Sequence, residues 1–201
     1  MVSMFGALLR APMTRLITPM SRGLLAMGVS ANMVTTFGAV GTIVSSIYFF
    51  GTGRFFIGTL VITAFVLTDL LDGTMARLSK SGASTWGALL DSTLDRICDA
   101  AVIGSLLYWC LHHRSNLVPV ILVALVASGL VSYVKARAES LQIVCNGGLA
   151  ERTERLIILL VGTGFYGLGW SWALPVSVWV LAVAASITVL QRLIIVFKAT
   201  R

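Results

Sequence analysis

The sequence has few charged side chains and few of the side chains that bind zinc or form disulfides. Of its 201 residues, 11% are charged, two are histidines and three are cysteines. An average soluble domain has about 25% charged residues, so this composition argues against a soluble globular protein. Cys98, Cys110 and Cys145 are odd in number and widely spaced. They therefore indicate neither a disulfide framework nor a zinc site.

Hydrophobic residues make up 57% of the chain and are grouped in long runs. A hydrocarbon core of about 30 Å requires about 20 apolar residues in a helix. Six runs suit this length, at residues 33–53, 55–77, 86–111, 117–138, 153–169 and 172–196. We therefore predict a single all-α membrane domain over residues 1–201, a bundle of six transmembrane helices between residues 33 and 196.

The first 30 residues are apolar but interrupted by basic residues. Arg10, Arg15 and Arg22 break every apolar stretch, so neither a secretory signal nor a span is predicted there. Apolar side chains nevertheless recur at helical spacing. We expect residues 1–30 to form an interfacial amphipathic helix under the cytoplasmic leaflet.

Basic residues exceed acidic ones, for a net charge of +7, but their placement does not favour nucleic acid as a partner. With six spans, only Arg54 and Arg114 fall on one side of the membrane, while the other basic residues and all the acids lie on or near the opposite side. The positive-inside rule places that second side in the cytoplasm with both termini. The sequence thus predicts a multi-pass plasma-membrane protein with its chemistry at the cytoplasmic face.

Four aspartates lie where two predicted helices meet at a short connection. Asp69 and Asp72 are three residues apart near the end of the second run, and Asp91 and Asp95 are four apart near the start of the third. Residues at these spacings share a helix face, so both pairs are expected to open onto one cytoplasmic cavity. Carboxylates without a nearby histidine or cysteine cluster suit Mg²⁺ or Mn²⁺, and four of them suit two such ions.

Small and basic residues continue the face of the first aspartate pair. Gly73, Ala76 and Arg77 follow it at helical spacing. Gly73 lacks a side chain where a phosphate-bearing ligand would approach the backbone. This pattern predicts a combined nucleotide and metal site. Salt bridges from the aspartates to Arg77 and Arg96 are the alternative, but two arginines cannot neutralise four acids.

The complete pattern resembles the signature of the CDP-alcohol phosphotransferases, six-span membrane enzymes that transfer a phosphatidyl or related group from a CDP-linked lipid to an alcohol. It reads Asp69-x2-Asp72-Gly73-x2-Ala76-Arg77, nine residues, then Gly87-x3-Asp91-x3-Asp95. The resemblance implies a homodimeric enzyme. It also implies that all four aspartates hold the two ions and that Asp95 is the general base.

The resemblance also implies contacts with the cytidine diphosphate of CDP-diacylglycerol (CDP-DAG). Residues 30–35 resemble the family's Pro-Asn/Asp-x-x-Thr start of the first span, with Ala31 in place of the proline. The residues implied to contact the nucleotide are Asn32, Met33, Val34, Thr35, Asp69, Gly73, Arg77, Ser84 and Gly87. Asp99, one turn beyond Asp95, is expected to orient a neighbour or pair with a basic residue.

Polar and basic residues in the second half bear on the acceptor. They are Ser132, Lys135 and Arg137 at the end of the predicted fourth span, Arg155 at the start of the fifth and Arg192 near the end of the sixth. Cationic side chains bind phosphate oxygens, so the set predicts an acceptor that carries its own phosphate. Contacts with lipid head groups are the alternative. The segments SYVKARAES, GGLAERTERLIILLVGTG and VLQRL resemble those of the actinobacterial phosphatidylinositol-phosphate synthases, a subgroup whose acceptor is inositol 1-phosphate. This resemblance implies that Ser132, Lys135, Arg155 and Arg192 bind the inositol phosphate.

Other functions stay open at this point. A phosphatidylglycerophosphate synthase would also need a pocket for a phosphorylated acceptor. A divalent-cation transporter would use the aspartates for permeation, but no acidic or polar groups continue beyond Asp99 toward the outer leaflet. An intramembrane prenyltransferase also uses paired acidic motifs, but normally has more than six spans. Gly38 and Gly41 are too weak a packing signal to indicate the homodimer by themselves.

Overall fold

The computed structural model describes residues 17–78 and 84–201, and in this part of the chain all regular structure is helical. Residues 17–26 are helical, whereas residues 1–16 of the predicted interfacial helix lie outside the described residues. The helices that follow are α1 (Ala31–Ser45), α2 (Phe55–Val66), α3 (Thr68–Leu78), α4 (Thr85–His112), α5 (Val118–Ser140), α6 (Arg152–Gly167) and α7 (Ala173–Ala199). A π-helical segment, Ser46–Phe50, continues α1.

Local sequence explains where several helices begin. The hydroxyl of Ser30 accepts a hydrogen bond from the Met33 amide at 3.3 Å, and that of Ser84 accepts one from the Gly87 amide at 2.9 Å. Both serines thus satisfy an amide of the first turn, as N-cap residues do. Pro119 lies in the first turn of α5, where its missing N–H leaves no hydrogen bond unmade.

The predicted count of six transmembrane helices is wrong. In the described residues, four helical stretches are long and apolar enough to cross a membrane: Ala31–Phe50, Phe55–Leu78, Val118–Ser140 and Ala173–Ala199. The run at 86–111 forms α4, a helix of 28 residues whose first half carries several charged side chains. The run at 153–169 forms α6, whose 16 residues fall short of the about 20 that a membrane core requires. Apolar runs in the sequence therefore overstated the number of spans.

The chain forms two compact units. Of the described residues, the first comprises 17–44, 61–78 and 84–98, and the second comprises Ser45–Leu60 together with Asp99–Arg201. The aspartate motif lies wholly in the first unit. The predicted acceptor-binding residues lie wholly in the second.

Two glycines let α1 pack closely within the first unit. A Cβ added at Gly38 would collide with the Thr68 side chain, and one at Gly41 would collide with the ring of Phe65. Phe37 completes this contact, with its ring centroid 5.6 Å from that of Phe65 in an edge-to-face arrangement. Gly38 and Gly41 therefore serve packing within the chain.

In the second unit, α7 packs against both α5 and α6. Ala127 and Val131 of α5 share a buried apolar cluster with Ala185 of α7. On the other side, Gly162 of α6 faces Ser177 of α7 so closely that an added Cβ would collide with its side chain. Small residues at these contacts bring the helix backbones together.

Candidate active site

The face of α3 that carries the first aspartate pair is partly buried and partly open. The side chain of Asp72 is buried, at 7% exposure. A Cβ added at Gly73 would meet no atom within 4 Å, so the protein leaves this part of the face open. Arg77 is exposed and donates a hydrogen bond to the Thr74 hydroxyl at 3.2 Å. The structure therefore leaves space beside the α3 backbone at Gly73, and ligand binding there stays a prediction.

The buried Asp72 is held by α1. The Thr35 hydroxyl donates to Asp72 Oδ2 at 2.6 Å, and it also lies 3.0 Å from the carbonyl oxygen of Ala31. A hydroxyl has one proton to donate, and the short contact with a carboxylate is the stronger of the two. Thr35 was predicted to contact the nucleotide. In the structure its hydroxyl orients Asp72, and its contact with the nucleotide stays a prediction.

The beginnings of α1 and α4 meet in the same unit. A Cβ added at Gly87 would lie 2.9 Å from the Asn32 side-chain oxygen and 3.0 Å from the Ser84 hydroxyl. Only glycine fits this approach without displacing those groups. Met33 is exposed, whereas Val34 is buried in the interior. The structure thus brings together Asn32, Ser84 and Gly87, which the sequence assigned to nucleotide binding.

The aspartates supply the right donors for a hard divalent cation. Asp69 and Asp91 lie close enough to act electrostatically on the charge of Asp72. Asp95 forms an ion pair with its neighbour Arg96 at 3.7 Å. Within residues 17–78 and 84–201, no three His, Cys, Asp or Glu side chains are arranged to hold a metal ion. The donor chemistry fits Mg²⁺ or Mn²⁺, so the assignment of the four aspartates as metal ligands stays a prediction.

A second charged cluster lies at the beginning of α6. Both oxygens of Asp99 contact an arginine, Oδ1 with Arg152 Nε at 3.4 Å and Oδ2 with Arg155 Nη2 at 3.3 Å. Arg155 is 4% exposed and also donates through Nη1 to the carbonyl oxygen of Ala150 at 3.2 Å. Asp99 therefore pairs with basic residues, as the sequence predicted.

Arg192 anchors the connection between α5 and α6. Although buried at 3% exposure, it donates through Nε to the carbonyl oxygen of Gly147 at 3.0 Å and through Nη1 to that of Val131 at 2.5 Å. Gly148 has a φ of +138°, and an added Cβ there would collide with Thr188 of α7. Arg192, predicted to bind phosphate, thus has a structural role as well.

The other predicted acceptor residues lie on α5. Ser132 directly follows Val131, whose carbonyl oxygen accepts the hydrogen bond from Arg192. Lys135 lies 4.0 Å from Glu139 in an exposed ion pair. Arg152 was not among the predicted site residues, although its spacing of three from Arg155 placed both arginines on one helix face.

A known protein family shares the sequence pattern of this chain. The model of the CDP-alcohol phosphatidyltransferase family matches residues 28–190, which is most of the chain. The chain belongs to this family. The resemblance predicted from the aspartate signature is therefore confirmed, and the transporter and prenyltransferase alternatives are excluded.

Several curated members of this phosphatidyltransferase family are similar to the chain over most of its length. The phosphatidylinositol phosphate synthase of Mycobacterium tuberculosis is 44% identical over 189 residues, covering 92% of this chain and 87% of the relative. That of Streptomyces avermitilis is 43% identical over 196 residues, with 93% and 80% covered. The predicted similarity to the actinobacterial synthases is confirmed.

Solved structures of the Mycobacterium tuberculosis phosphatidylinositol phosphate synthase share the fold of this phosphatidyltransferase. The crystal structure with CDP-DAG bound has a TM-score of 0.87 at 44% identity, covering 92% of this chain and 94% of the other. The complex with manganese and citrate has a TM-score of 0.86 at 43% identity, with 90% and 89% covered. These relatives bind the donor lipid and the kind of metal ion that the sequence of this chain predicted.

Proposed function

We propose that this phosphatidyltransferase transfers the phosphatidyl group of CDP-DAG to inositol 1-phosphate and releases CMP. The proposal rests mainly on one observation in this chain, the convergence of α1, α3 and α4 around Asp72. Thr35 is hydrogen-bonded to Asp72, and Asn32 approaches Gly87. The relatives named phosphatidylinositol phosphate synthase, at 44% and 43% identity, support inositol phosphate as the acceptor.

The donor lipid would bind where the backbone of α3 is open. Gly73 lets a phosphate approach, because an added Cβ would meet no atom within 4 Å. The exposed Arg77 lies one turn further along the same face and can bind phosphate oxygens. The residues proposed to contact the nucleotide are Asn32, Met33, Thr35, Asp69, Gly73, Arg77, Ser84 and Gly87. The buried Val34 would support them from the interior.

Two Mg²⁺ or Mn²⁺ ions would be held by the carboxylates of Asp69, Asp72, Asp91 and Asp95. When bound, such ions supply positive charge that offsets the charge of a pyrophosphate group. The Thr35 hydroxyl would then orient one ligand, Asp72, through the 2.6 Å hydrogen bond. Groups that orient metal ligands in this way raise the affinity of a site.

In the transfer itself, Asp95 would act as the general base. Its carboxylate would accept the proton of an acceptor hydroxyl while the hydroxyl oxygen forms a bond to the β-phosphorus of CDP-DAG. The bond from that phosphorus to the oxygen of CMP would break, and CMP would leave with the electron pair. Asp95 lies one helical turn from Asp91 on α4, so the base would act beside the residues proposed to bind the metal ions.

The acceptor phosphate would bind to the basic cluster at the beginning of α6. Arg155 has five N–H groups and uses one with Asp99 and one with Ala150. The remaining N–H groups suit phosphate oxygens, which arginine binds in a bidentate manner. Arg192, Ser132 and Lys135 would complete this binding region, with Arg192 also holding the neighbouring connection.

Charge at the helix ends supports a cytoplasmic site. Among the four helices long and apolar enough to span a membrane, basic residues cluster near one end of each: Arg22, Arg77, Lys135, Arg137, Arg192, Lys198 and Arg201. Only Arg54 and Arg114 lie near the opposite ends. We therefore propose, from the positive-inside rule, that Arg77 and the aspartates beside it face the cytoplasm of a plasma-membrane protein, and that both termini do so as well, since the number of candidate spans is even. The homodimer implied by the family stays a prediction.

An acceptor panel tests the proposal. Purified protein with CDP-DAG and either Mg²⁺ or Mn²⁺ is given inositol 1-phosphate, free inositol, glycerol 3-phosphate or serine, and CMP release is measured. We expect release with inositol 1-phosphate alone, and none when the metal ion is chelated. Turnover with glycerol 3-phosphate alone would instead identify a phosphatidylglycerophosphate synthase. Turnover with free inositol but not its phosphate would contradict the role of the basic cluster.

A further inference from the structure

Asp99 lies next to the proposed acceptor site but is not part of the aspartate signature. It follows Asp95 by one turn of α4, and its side chain is 14% exposed. Its two oxygens contact Arg152 and Arg155, which are three residues apart on α6. One carboxylate therefore joins two guanidinium groups that would otherwise repel each other.

Three arginines and one aspartate make up this cluster. Arg152, Arg155 and Arg192 carry three positive charges, and the charges of Arg152 and Arg192 both act on Arg155. A phosphate monoester carries a charge of about −1.5 to −2 at neutral pH. Because arginine binds phosphate oxygens in a bidentate manner, these side chains suit a phosphorylated ligand better than an unphosphorylated alcohol.

The hydrogen bonds of Arg155 show how Asp99 would act. Nη2 is held by Asp99 and Nη1 by the carbonyl oxygen of Ala150, so the guanidinium is fixed on two sides. Arg155 and Asp99 also line one cavity together with Ser128. A cation that is already fixed loses less conformational freedom when it binds a ligand.

We propose that Asp99 positions Arg152 and Arg155 for the phosphate of the acceptor. Asp99 itself does not contact the acceptor, but by holding the two arginines it helps the enzyme to select a phosphorylated alcohol. This inference rests on the proposed function, in particular on Arg155 as a ligand of the acceptor phosphate. Asp99 then affects acceptor binding only, whereas the Asp69 to Asp95 motif affects the donor lipid and the metal ions.

Asp99→Asn tests the inference by steady-state kinetics on the full-length protein. The amide keeps the shape of the carboxylate, but its NH₂ group cannot accept a hydrogen bond from the second arginine. We expect the KM for inositol 1-phosphate to rise about tenfold or more, as loss of one hydrogen bond between charged groups implies. The KM for CDP-DAG should stay within about twofold, a change that corresponds to only about 0.4 kcal/mol. An equal rise in both KM values, or an unchanged acceptor KM, would overturn the inference.

Ser128→Ala is the matched control, because its hydroxyl lies in the same cavity. That hydroxyl is buried and has no hydrogen-bond partner among the described residues. Its removal disturbs the cavity without changing charge, and both KM values should stay as in the wild type. A rise in the acceptor KM like that of Asp99→Asn would attribute the effect to cavity packing and contradict the role of Asp99.

A binding measurement separates positioning from a general loss of stability. Inositol 1-phosphate, added without CDP-DAG, should raise the thermal unfolding temperature of the wild type and of Ser128→Ala but not of Asp99→Asn. Should Asp99→Asn fail to fold, Arg152→Gln gives the same test, because Arg152 is the more exposed partner. An unchanged acceptor KM in Arg152→Gln would also contradict the inference.

The wild-type acceptor panel distinguishes failure of this inference from failure of the proposed function. If the wild type uses inositol 1-phosphate and the Asp99 variant keeps its acceptor KM, only the positioning role is wrong. If the wild type uses no phosphorylated acceptor, the proposed function is wrong and this inference falls with it.

Discussion

Thr35→Val is the most direct test of how the aspartate site is held. The Thr35 hydroxyl donates to Asp72 Oδ2 at 2.6 Å, with both side chains buried, at 8% and 7% exposure. Valine has the same shape as threonine but no hydroxyl, so the substitution removes this hydrogen bond while preserving the packing of α1. Asp72 then keeps its place on α3 but loses the group that orients it.

The expected size of the effect follows from that contact. A hydrogen bond to a charged group contributes about 1.5–3 kcal/mol. Since about 1.4 kcal/mol corresponds to a factor of ten, the metal affinity should fall by about tenfold to one hundredfold. Loss of a group that supports a metal ligand typically has an effect of this size, about 10–100-fold.

The assay measures the concentration of Mn²⁺ or Mg²⁺ that gives half-maximal CMP release at saturating CDP-DAG and acceptor. This concentration should rise at least about tenfold in Thr35→Val. Thr35→Ser is the matched control, because it restores the hydroxyl and should return the metal requirement close to that of the wild type. An unchanged metal requirement in Thr35→Val would refute the reasoning. A rise confined to the KM for CDP-DAG would make Thr35 a nucleotide contact, as the sequence alone suggested.

Three further substitutions test other parts of the structure. Gly73→Ala enters open space, so the thermal unfolding temperature should not change, whereas the KM for CDP-DAG should rise; an unchanged KM would place the donor lipid elsewhere. Gly162→Ala should lower the unfolding temperature, since its Cβ would collide with Ser177 and overpacking costs about 1–3 kcal/mol. Gly129→Ala is the control, because its Cβ would meet no atom within 4 Å and should not lower the unfolding temperature. Asp95→Asn should abolish CMP release while CDP-DAG still binds in an equilibrium assay, and substantial residual turnover would show that Asp95 is not the base.

Much of the helical structure was predictable because apolar runs and caps are local features. The run at 117–138 predicted α5, which spans Val118–Ser140, within about two residues at each end. The error lay in treating every run as a span. The predicted third span begins with the charged turns of α4, and the predicted fifth, α6, is a short helix that carries the buried Arg155.

For the site residues, the sequence predicted only some of the contacts that the structure shows. Asn32 and Gly87, which the signature implied to contact the nucleotide, lie side by side, but their contact with the nucleotide stays a prediction. Thr35, by contrast, is hydrogen-bonded to Asp72, and the predicted phosphate ligand Arg192 is bonded to two backbone carbonyls. Arg152 was not assigned to the site, because the sequence does not show which cation pairs with an acid on another helix.

The sequence by itself determined the family and its chemistry. Metal and phosphate binding require particular functional groups on one helix face, and helical spacing makes such a face visible in residues 69–95. Only the tertiary structure decided which groups orient these residues. The bonds of Thr35 to Asp72, Arg155 to Asp99 and Arg192 to Val131 join residues 37, 56 and 61 positions apart. Such contacts depend on how the helices pack, which no local pattern specifies.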